Sequence, residues 1–92
     1  MKVYGRFKVV SVSEEVEKKI GNKTVPCSYV ILNEGDSYLT ATVWGNPKIQ
    51  ICKEKLYSET DMECVVSITG SFILRDDGSK RYFNNFNIIH IL

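Results

Sequence analysis

The sequence predicts an all-β fold, a small barrel of five strands with one short helix inserted between the third and the fourth. Three observations carry that reading. Apolar and polar residues alternate along most of the 92-residue chain, which is the period of half-buried strands. One segment, after Gly45-Asn46-Pro47, switches to spacings of three and four. Gly5 and Gly70 lie inside the first and fourth strands, where a small barrel has to bend.

Residues 2 to 12 form the first strand, with Val3, Gly5, Phe7 and Val9 on an apolar face and Tyr4, Arg6, Lys8 and Val10 on a basic and aromatic one. Glu14 to Ile20 reads as a polar extension of that strand into a hairpin. A helix there would have only Val16 and Ile20 at helical spacing, and Gly21-Asn22 follows as a turn. Thr24 to Leu32 is the second strand, its early part confined to an edge or a bulge by Pro26. Asn33-Glu34-Gly35-Asp36 turns the chain into the third strand, Tyr38 to Trp44, which is therefore its antiparallel neighbour.

The third strand places Leu39, Ala41 and Val43 on one face and Tyr38, Thr40, Thr42 and Trp44 on the other. The first set is core. The second, two large rings spaced by hydroxyls, either covers a second layer of core or forms a surface on which flat ligands stack. Asn46 is placed to cap the helix and Pro47 to occupy its first position, while Ile49, Cys52 and Leu56 make one apolar stripe and Lys48, Lys53 and Lys55 a solvated face. Tyr57 to Met62 is a polar connector. Glu63 to Leu74 is the fourth strand, with Cys64, Val66 and Ile68 inward and Gly70 allowing a bend before Phe72 and Leu74. Arg75 to Arg81 is a hairpin turned by Asp77-Gly78. The last strand, Arg81 to Leu92, sets Phe86, Ile88 and His90 against Asn85, Asn87, Ile89 and Ile91.

Three strands, a helix and two strands, with glycine at the bends, is the order of the Greek-key OB-fold. A twisted open sheet with one packed helix is the alternative. One domain, residues 1–92, is expected.

Hydrophobic content of 43% and charged content of 25% are ordinary for a globular chain, and 12 basic against 11 acidic residues leave a net charge of +1. A global electrostatic pull on nucleic acid is thereby excluded. Any such pull rests on local clusters, Lys2, Arg6 and Lys8 near the start and Arg75, Lys80 and Arg81 near the end. No apolar run approaches the roughly 20 residues of a membrane span, and the N-terminal residues lack the apolar region of a secretory signal. A cytoplasmic protein without a membrane partner is expected.

Cys27, Cys52 and Cys64 form no Cys-x-x-Cys pair, and their odd number argues for reduced thiols. His90 stands far from them in sequence with no zinc-ligand spacing, and is read as a core or strand-edge residue. Asp76-Asp77 belongs to turn chemistry. Neither a metal nor a cofactor is expected, and no nucleophile–base pair or phosphate loop points to an enzyme.

Gly5-Arg6-Phe7, the run Tyr38 to Gly45, the helix after it, Val66 to Phe72, and Asp77-Gly78-Ser79-Lys80-Arg81-Tyr82 together resemble the bacterial single-stranded DNA-binding proteins, across essentially the whole chain. The resemblance implies a strand of DNA, or of RNA, wrapped by rings and cations around the barrel, in replication, recombination or plasmid and phage maintenance. It also implies protomers that assemble as homodimers or homotetramers. By position it makes Tyr38 and Trp44 the ring-bearing residues and Arg6 the basic one of the first strand. Stacking on Trp44, Tyr38 and Tyr82 and phosphate contacts from Arg6, Lys8, Arg75, Lys80 and Arg81 follow as the expected interface. Tyr82 and Phe83 are neighbours, so a regular strand turns only one of them inward. Two departures stand out. Leu92 ends the last strand, so the acidic tail through which many members recruit replication proteins is expected to be missing, as in short PriB-like or mobile-element members. There is also a single tryptophan. A barrel that engages proteins without binding nucleic acid is the competing reading, favoured by the near-neutral charge.

Overall fold

The computed structural model describes residues 1 to 92. Its elements are β1 (Lys2–Val12), β2 (Val16–Ile20), β3 (Lys23–Glu34), β4 (Ser37–Trp44), α1 (Asn46–Leu56), β5 (Met62–Leu74) and β6 (Lys80–Ile91). β1 pairs with β5 through Lys2–Phe7 and with β3 through Lys8–Val12, so it belongs to both halves of the sheet. β3 pairs with β4, β4 runs parallel to β6, and β6 returns antiparallel to β5. The circuit β1–β3–β4–β6–β5–β1 is closed, and it is the five-stranded barrel of the OB-fold.

A sixth strand stands outside that circuit. β2 adds to the edge of β3, every residue of it exposed, and forms with the start of β3 a hairpin turned at Gly21, whose φ is 60°. The strand count is thus one higher than the sequence predicts, because the polar segment Val16–Ile20 finds backbone partners on β3 while burying nothing.

Alternation puts one face of each barrel strand inside. Phe7 and Val9, Val30 and Leu32, Ala41 and Val43, Met62, Cys64 and Val66, and Ile88 meet there, joined by Ile49 and Cys52 of α1. The helix begins on Gly45 at φ 91°, with Pro47 in its first turn and no side-chain cap. Asn46 therefore lies inside the helix rather than capping it; the Gly45 carbonyl accepts from the Ile49 amide at 3.1 Å and the Gly45 amide donates to the Pro26 carbonyl at 2.9 Å. α1 packs against β1, β3 and β4. Its lysines serve the chain itself: Lys48 Nζ donates to the Ile89 carbonyl at 2.9 Å, Lys53 pairs with Glu15 at 3.5 Å, and Lys55 Nζ donates to Thr60 at 3.0 Å.

The bends are made differently from the expectation. Register across β1–β5 is unbroken at Gly5, and register across β5–β6 is unbroken at Gly70. The shifts fall at Val10 of β1, between Val9 and Ser11, and at Ile89 of β6, which has no opposite number between Val65 and Val66. Such a bulge inserts one residue and re-phases all that follows. Hence Ile91, not His90, packs on the core beside Ile88, and His90 is exposed. Gly5 has another reason to be glycine: a Cβ there would lie 2.7 Å from Cζ of Phe7, whose ring covers the backbone at that point.

Candidate nucleic-acid interface

The outer face of β3 and β4 is built by alternation. With Leu39, Ala41 and Val43 inside, Tyr38, Thr40, Thr42 and Trp44 are left outside. Tyr38 is 70% exposed, so the second strand face is not a further layer of core at that point. Trp44 is half-buried and its indole Nε1 donates to Asn87 Oδ1 at 3.1 Å, a bond that the parallel β4–β6 pairing brings within reach. Six residues of strand separate the two rings by about 20 Å.

Between them stands a residue that the sequence reading does not assign. Tyr29 of β3 faces Thr42 across the ladder, on the same outer side, and is 40% exposed. Its signal was present in the alternation of Tyr29, Ile31 and Asn33 against Ser28, Val30 and Leu32. Lys18 of β2 lies with Nζ 5.4 Å from the Tyr29 ring, and the nearby phenol raises the ammonium above its ordinary value. The β2–β3 hairpin thereby hangs a cation beside the central ring, with Lys19 and Lys23 also exposed on it.

The predicted cations divide into separate groups. Lys8 is exposed in the same cross-strand row as Asn33 and Tyr38, because Lys8 faces Asn33 and Asn33 faces Tyr38. Arg6 is on the β5 side of the strand, where its guanidinium meets Glu63 at 2.7 Å while Tyr4 Oη donates to the other carboxylate oxygen at 2.6 Å. Hydrogen bonding to Glu63 raises the Tyr4 phenol, and the Tyr4 and Glu63 contacts raise Arg6. Arg6 is accordingly engaged within the chain.

The far ends of β5 and β6 leave the barrel as a two-stranded arm. Phe72 and Tyr82 face each other across it with ring centroids 6.0 Å apart, and Lys80 Nζ sits 4.8 Å from the Phe72 ring. Arg81 pairs with Ile73 in the alternate register and so presents to the opposite face, along with Phe83. Both Tyr82 and Phe83 are exposed, since the arm has no second layer to cover either face. Asp77 holds the turn: its Oδ1 accepts from the Ser79 amide at 2.9 Å and from the Ser79 hydroxyl at 2.6 Å, which lowers its pKa. Arg75 closes the same turn through its amide to the Ser79 carbonyl at 2.8 Å. Trp44, Tyr29, Tyr38 and Lys8 thus share one surface, Tyr82 and Lys80 one face of the arm, and Arg81 the other.

At the Tyr38 end a hollow of about 230 Å³ opens, lined by Phe7, Leu32, Leu39, Tyr38, Glu34 and Ser37. The three cysteines are free and buried, away from any such opening; burial pushes the Cys52 and Cys64 thiols up to about 11. No group of three metal-ligating side chains exists.

No protein-family model matches the chain, and a search of curated proteins finds no match. Among solved structures the chain is similar to the mitochondrial single-stranded DNA-binding protein Rim1 of S. cerevisiae, with a TM-score of 0.60 over all of this chain and 92% of the other, at 19% identity. The likeness is one of fold. It covers the barrel and the helix between β4 and β5.

Proposed function

We propose that this protein binds single-stranded DNA along the outer face of β3 and β4. The observation that carries the proposal is the row Tyr38, Tyr29 and Trp44 on the surface that OB-folds commonly offer to oligonucleotides, flanked by the two hairpin arms. Each base has a π-face, so the rings stack on it whatever its identity, and the strand is held with little sequence preference. Lys8, Lys18, Lys23 and Lys80 neutralise phosphates beside the rings, so that affinity comes from local charge although the net charge is only +1. Tyr82 and Phe72 extend the stacking surface onto the β5–β6 arm. The resemblance to bacterial single-stranded DNA-binding proteins, and the likeness in fold to a protein described as binding single-stranded DNA, support the same reading.

The finer reading places such a protein in replication, recombination or the maintenance of a plasmid or phage, in the manner of short PriB-like members. Val3 and Tyr4 on β1, and Ile73 and Phe83 on the arm face opposite Phe72 and Tyr82, leave exposed area that a second protomer would cover, which favours a homodimer or homotetramer. A different reading, a barrel that engages proteins alone, draws on the exposure of Phe72, Ile73 and Leu74. Retention of the protein on immobilised oligo-dT, lost as salt is raised, is the outcome expected for a single-strand binder. Passage through that column at low salt would leave the protein-interaction reading in possession.

A further inference from the structure

The hollow beside Tyr38 has a composition that stacking alone does not require. Phe7, Leu32 and Leu39 give it apolar walls, Tyr38 adds a ring, and Glu34 and Ser37 are the polar residues of its lining. At about 230 Å³ it falls below the roughly 300–1,000 Å³ of sites for drug-sized ligands and suits a single planar ring system. Its rim is ordered. Asn33 Nδ2 donates to the carbonyls of Gly35 at 3.0 Å and Ser37 at 3.1 Å, which fixes the turn between β3 and β4 that Glu34 and Ser37 flank. Neither ion pair of the chain uses Glu34, so its carboxylate oxygens are uncommitted.

Resting on the single-strand reading above, we infer that this hollow takes one base of the bound strand and that Glu34 makes the preferred base guanine. A carboxylate only accepts hydrogen bonds, so it sorts bases by the donors on their edges. Guanine presents its N1–H and a 2-amino N–H side by side, matching two carboxylate oxygens as a guanidinium does. Cytosine and adenine each present one amino group next to a ring nitrogen whose lone pair faces the carboxylate. Thymine presents a single N–H between two carbonyls. Guanine therefore comes first and thymine last at this one position, while the bases over Tyr29 and Trp44 are read by their faces and stay interchangeable.

The test compares labelled oligo-dT with the same strand carrying one central dG, dC, dA or deoxyinosine, by fluorescence anisotropy. One dG should tighten binding about five-fold or more, the lower end of what a bidentate base contact discriminates. Deoxyinosine, which keeps N1–H and lacks the 2-amino group, should lose most of that gain. In Glu34→Gln the ratio of dG to dT strands should fall to near one; Glu34 is exposed at the end of β3, so the variant folds. Equal affinity for dG and dT strands, a preference led by dC or dA, or a dG preference that survives in Glu34→Gln overturns the inference while leaving oligo-dT binding intact. Failure to bind oligo-dT at all overturns the single-strand reading and this inference with it.

Discussion

Tyr38 and Tyr29 are exposed and contribute little to the core, so their replacement separates binding from folding. Tyr38→Ala and Tyr29→Ala are each expected to weaken oligo-dT binding by roughly 1–3 kcal/mol, the value of one base–ring stack, with urea midpoints unchanged. Gly5 acts through packing instead. In Gly5→Ala the new methyl meets the Phe7 ring at 2.7 Å, and the displaced ring should cost about 1–3 kcal/mol of stability, read from urea unfolding. Cys52 and Cys64 set an alkaline limit. Their folded pKa values are raised to about 11 from 9.0, so the stability tied to the neutral thiols is complete below pH 9 and is lost as pH rises from there through about 11. Urea midpoints should therefore fall across that window, and the fall should be shallower in Cys52→Ala than in the parent chain.

At the scale of elements, alternation made the barrel legible and bulges limited it. Leu39, Ala41 and Val43 opposite Tyr38, Thr40, Thr42 and Trp44 could be read directly, because a strand has a period of two and one face of it is core. The helix was visible for the same reason in its own period, through Ile49 and Cys52. The extra residues Val10 and Ile89 were not legible. A bulge is a count of two against one between strands, and neither valine nor isoleucine marks it as glycine would. That is why alternation alone sets His90 on the face that Ile91 occupies. Deleting Ile89 should remove the bulge while leaving Ile88 and Ile91 on the core face and His90 outside, so that urea unfolding reads a stability within about 1 kcal/mol of the parent chain. Among the candidate site residues, Tyr38 can be read from its strand. Alternation along β3 sets Tyr29 on the outer face, and only the pairing with β4 puts it in the row between Tyr38 and Trp44. The commitment of Arg6 to Glu63 likewise depends on a partner 57 positions away in sequence, brought opposite it by the β1–β5 ladder.

The whole molecule is broader than its length requires. Its radius of gyration is 14.7 Å, against about 12 Å for a compact chain of this size, with extents of 48 × 36 × 21 Å. The two arms account for the excess, since β2 is wholly exposed and the β5–β6 ribbon has no covering layer. A near-neutral molecule gives no long-range steering, so binding should depend on salt only through the cations near the strand. Contacts from about four of them would give a slope near −3 for log affinity against log salt, at roughly 0.7 per phosphate on a single strand. The central claim is that rings on the outer face of β3 and β4 stack on bases, and Trp44, the sole tryptophan, reports on it alone. Titration of the protein with oligo-dT while following intrinsic fluorescence at two salt concentrations should show quenching that saturates, with a weaker midpoint at the higher salt. Indole emission that stays constant at low salt while the strand is present in excess would contradict the account.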